Sequence, residues 1–98
     1  MPLEPALRDR ILASVEAGFA EQIAFTQDMI RFPSTRGDEH TVQDFIFRAL
    51  RARGFTMDRF AMDREAIGRH PGGAPFSDTH SDAPIVVGIH HPRAETGR

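Results

Sequence analysis

The segment PIVVGIHHP, residues 84 to 92, constrains the fold more than any other stretch of this chain. Ile85, Val86, Val87 and Ile89 follow one another without polar alternation. A strand with one wet face alternates apolar and polar residues. An uninterrupted apolar run reads instead as a strand covered on both faces, as in an α/β sheet. Such a strand needs paired neighbours on its edges and packed layers above and below. Only one other strand is legible, FTMDRFAM, from Phe55 to Met62. Two strands rarely make an independently stable sheet. The 98 residues suffice for one small domain and not for two. The expectation is therefore an N-terminal piece of a larger α/β domain, whose next strand begins just past Arg98.

The rest of the chain reads as helices and loop. From about residue 5 to 32, Leu7, Ile11, Val15, Phe19, Ile23 and Ile30 lie near one stripe, widened by Leu12, Phe25 and Met29. Pro5 suits a first helical turn, Gly18 permits a bend or break, and Pro33 ends the helix by disfavouring helical dihedrals at Phe32. A second helix is expected at about 39–53, where Val42, Phe45, Ile46, Ala49 and Leu50 keep helical spacing. Asp38 is its expected N-cap, Glu39 favours the positive end of its dipole, and Gly54 takes the left-handed position that closes it. A strand at about 55–62, a loop at about 63–83 with DREAIG as one short helical turn, and a strand at about 84–90 complete the assignment.

Candidate chemistry is sparse. RFPSTRGDEH, residues 31 to 40, holds two carboxylates and a histidine. Adjacent helical residues point about 100° apart, however, whereas ligands sharing a metal want i, i+3 or i, i+4 spacing. Capping accounts for Asp38 and Glu39 without a metal. His90 and His91 are consecutive on a strand, so their rings face opposite sides. His70 and His80 fall in the long loop and read as surface histidines, outside any HExxH spacing. Ser34, Ser77 and Ser81 lack the GxSxG elbow, and no phosphate-binding loop is present.

Composition narrows the classes further. A net charge of −2 argues against a nucleic-acid or anionic-membrane surface. The absence of cysteine excludes disulfides and thiolate metal sites. The polar start MPLEPALRDR is no secretory signal, and no apolar run approaches the ~18 residues that span a bilayer. A cytoplasmic protein, with no membrane and no nucleic-acid partner, is the expectation.

The order of IRFPSTRGDE, FIFRALRARGF, an irregular loop with HPG, and APIVVGIHHP followed by TGR resembles the N-terminus of the M20 metallopeptidases. Within that family it is most similar to the acetylornithine deacetylase and succinyl-diaminopimelate desuccinylase group. The resemblance covers nearly the whole chain. It is most specific at Pro33-Ser34 followed by Gly37 and Glu39, with Gly54 opening the first strand. It implies an α/β fold in which a helical pair and the first strands begin a mixed-sheet catalytic domain, left incomplete at residue 98. It further implies two zinc (or cobalt) ions in the full-length enzyme and a small-molecule N-acyl amino acid as substrate. The full-length form is open to homodimerisation. The ligands implied lie past Gly97-Arg98, beginning with a Gly-His-x-Asp motif. No catalytic or metal residue is therefore carried over, and no cofactor is expected for residues 1–98 alone. Pro33, Ser34, Gly37 and Glu39 are carried over only as a structural corner near the family's active-site rim.

Two rivals stand beside this reading. One is a stand-alone helical interaction module that dimerises through its excess apolar surface. The other is a nucleic-acid-binding helix pair using Arg48, Arg51 and Arg53, which the net charge disfavours.

Overall fold

A computed structural model describes residues 2–76 and 80–94. The chain divides into two compact units, residues 1–31 and residues 32–98. Ser77 and the Gly97-Arg98 pair, both singled out in the sequence, lie outside the described residues.

The first unit holds α1, Pro5–Ala17, and α2, Phe19–Ile30. The helix expected over 5–32, in which Gly18 permits a bend or break, is two helices parted at Gly18 (φ −90°, ψ 0°). Glycine pays the largest backbone entropy of any residue in a helix, so the break falls where continuation is least favoured. Pro5 opens α1 as expected, and the Glu4 carboxylate caps it by accepting the Ala6 and Leu7 N–H groups at 3.1 and 3.0 Å. This cap was not legible, since glutamate is not among the favoured N-cap residues. Leu7, Ile11, Val15, Phe19 and Ile23 of the apolar stripe are all exposed, and Ile30 is 72% exposed.

The second unit is a helix laid on a two-stranded antiparallel sheet. Its elements are α3 (His40–Ala52), β1 (Thr56–Phe60), α4 (Arg64–Arg69) and β2 (Ile85–Ile89). Strand β1 pairs with β2 in a register that sets Thr56 opposite Ile89, Met57 opposite Gly88 and Phe60 opposite Ile85. The helix α3 is strongly one-sided, and its residues Val42, Phe45, Ile46, Ala49 and Leu50 are half-buried. It ends as expected at Gly54, whose φ of +87° is left-handed. The Phe55 N–H reaches the Leu50 carbonyl at 3.2 Å and the Gly54 N–H reaches Arg51 at 3.0 Å. That pair of bonds is a Schellman motif, and it turns the chain directly into β1.

Side-chain alternation decides which sheet face α3 covers. A Cβ on Gly88 would stand 3.1 Å from the Leu50 side chain, which places Gly88, its partner Met57 and their same-face neighbours Arg59 and Val86 under the helix. The Arg59 guanidinium lies 3.7 Å from the Phe47 ring centroid and 3.5 Å from the Asp44 carboxylate. On the opposite face Phe60, Val87 and Ile89 are 45%, 38% and 46% exposed. The covering expected on both faces of the apolar run is therefore present on one. Among the described residues no hydrophobic side chain is fully buried. No described helix is long and apolar enough to cross a membrane.

The corner and the loop before β2 as a candidate site

The corner between α2 and α3 is built by its glycine. Gly37 has φ +91°, a left-handed conformation that a side chain disfavours, and its N–H donates to the Glu39 carboxylate at 3.1 Å. Pro33 and Ser34 are exposed and lie apart from that hydrogen bond. Of the four corner residues named from the sequence, the structure brings together Gly37 and Glu39.

Asp38 does not cap α3. The helix begins at His40 with Glu39 in the capping position, and no side chain makes a capping bond there. The reason is that Glu39 is engaged elsewhere, backwards to Gly37 and across to the Ser81 hydroxyl. The Ser81 hydrogen bond is the main influence holding the Glu39 carboxyl below the ordinary glutamate range. The Gly37 N–H and the neighbouring His40 act in the same direction. The Ser81 Oγ also accepts the Ala83 N–H at 3.0 Å. A short polar chain thus ties the corner to the segment entering β2.

That segment is held from its other side by α4. Asp63 caps α4 by accepting the Ala66 N–H at 2.9 Å, which confirms the short helical turn expected at DREAIG. From the first residue of α4, the Arg64 guanidinium donates to the carbonyls of His80 and Ser81, both at 3.1 Å, and to the Asp82 carboxylate. The Phe76 ring stands edge-on to His80, with centroids 4.5 Å apart. His80 is therefore not the free surface histidine its loop position suggests. It is half-buried, and its Nε2 is enclosed without a hydrogen-bond partner. A chain reading has no signal for the contact with Arg64, which stands sixteen residues before His80 and is brought to its carbonyl only by the fold.

Glu39, Gln43, His80 and Ser81 line one groove of about 200 Å³, with Met62, Pro84 and Ile85 as its apolar wall. Elsewhere, His70 Nδ1 accepts the Gly72 N–H at 3.0 Å in the turn after α4. His90, just past β2, packs its ring 5.9 Å from that of Phe55. Among the described residues no three histidine or carboxylate side chains converge to hold a metal ion. Comparison with protein-family models, with curated proteins and with solved structures gave no match to this chain.

Proposed function

We propose that this chain is the N-terminal part of a metal-dependent amidohydrolase that removes an N-acyl group from an amino acid or hydrolyses a peptide-like amide, in the manner of acetylornithine deacetylase. It contributes helices and first strands to the catalytic domain, and the parent enzyme carries two zinc or cobalt ions. The described residues do not supply a metal-binding set, so no catalytic step is assigned to them.

The observation that supports this reading is the half-built layer in residues 32–98. Helix α3 covers one face of the β1–β2 pair, while Phe60, Val87 and Ile89 remain exposed on the other. A strand apolar on both faces is at home inside a sheet with layers on both sides. The order of the corner, the Schellman turn and the apolar strand supports the same reading by resemblance.

The test is to read the coding sequence past the codon for Arg98. An apolar strand followed by Gly-His-x-Asp is expected. The encoded protein should release acyl groups from N-acyl amino acids when supplied with zinc or cobalt. The 98-residue chain alone should do neither that nor bind zinc, as followed by calorimetry. An immediate stop codon in an intact, expressed gene overturns the proposal, as does zinc binding by residues 1–98 at about micromolar strength.

One observation favours the interaction-module reading instead. The stripe Leu7, Ile11, Val15, Phe19 and Ile23 is exposed along both α1 and α2. That reading requires a stable dimer of the 98-residue chain that melts in one sharp transition, which sedimentation and calorimetry distinguish.

A further inference from the structure

We draw no further inference here: the strongest candidate, the apolar stripe of Leu7, Ile11, Val15, Phe19 and Ile23 exposed along α1 and α2, belongs to the interaction-module reading already given, and nothing in the structure shows what covers it.

Discussion

Gly54 and Gly88 are both constrained, by opposite means. A Cβ on Gly54 would meet nothing within 4 Å, so its constraint is the left-handed φ of +87° alone. Gly54→Ala should cost about 1 kcal/mol, the ordinary price of placing a side chain in that region. Faster amide exchange at Phe55, which donates into the Schellman turn, checks this in the intact protein. Gly88 has ordinary dihedrals, but an added Cβ would stand 3.1 Å from Leu50 and 3.3 Å from both Met57 and Phe55. Gly88→Ala should cost about 1–3 kcal/mol by overpacking, read as faster exchange throughout β2. Gly54 was legible because helix closure is local; Gly88 was not, because its neighbours come from α3 and β1.

Glu39 belongs to the same scale, and its sign is definite. Its folded carboxyl titrates below the ordinary range, chiefly through the Ser81 hydroxyl. The tie between corner and loop is then fully present above the unfolded value of about 4.3 and is lost as pH falls through the lower folded value. A carboxyl ¹³C titration should give a midpoint below about 4.3 that rises toward it in Ser81→Ala. A midpoint at the ordinary value in the unmodified protein would show that Ser81 does not hold Glu39.

At the scale of elements, Gly18 is the joint between α1 and α2. A Cβ there would make only ordinary contacts, 3.5 Å to the Ser14 carbonyl oxygen and 3.9 Å to that of Val15. Gly18→Ala should therefore favour one continuous helix by about 0.5–1 kcal/mol, seen as greater helical circular dichroism in the 98-residue chain. Unchanged helicity would mean that something other than glycine's backbone freedom parts the two helices. The apolar spacing of α3 was legible because it repeats within one element. The pairing of Arg59 with Asp44 and the Phe47 ring was not, since a charged residue on a strand reads as solvent-facing until a helix lies over it.

For the whole molecule, the exposure of Phe60, Val87, Ile89 and the α1–α2 stripe sets the behaviour to expect. Contiguous apolar surface and open strand edges favour association and loose packing. The 98-residue chain by itself should bind the dye ANS, keep its far-ultraviolet circular dichroism and lack a sharp calorimetric transition. A monomer that melts cooperatively without ANS binding would count against the half-built reading of the fold.

Sequence alone determined the elements whose cause is local: Pro5 opening a helix, the one-sided pattern of α3, Gly54 closing it, and the apolar run of β2. Each depends on dihedral limits or on side chains a few positions apart, which the order of residues states directly. Tertiary structure alone decided that β1 and β2 pair antiparallel, that α3 lies over Met57 and Gly88, and that Glu39, Ser81 and His80 share one groove. The groove draws on residues some forty positions apart. The His80 imidazole and the Glu39 carboxylate come from chain segments far apart in sequence, and Arg64 of α4 holds the approach to β2 through the His80 and Ser81 carbonyls.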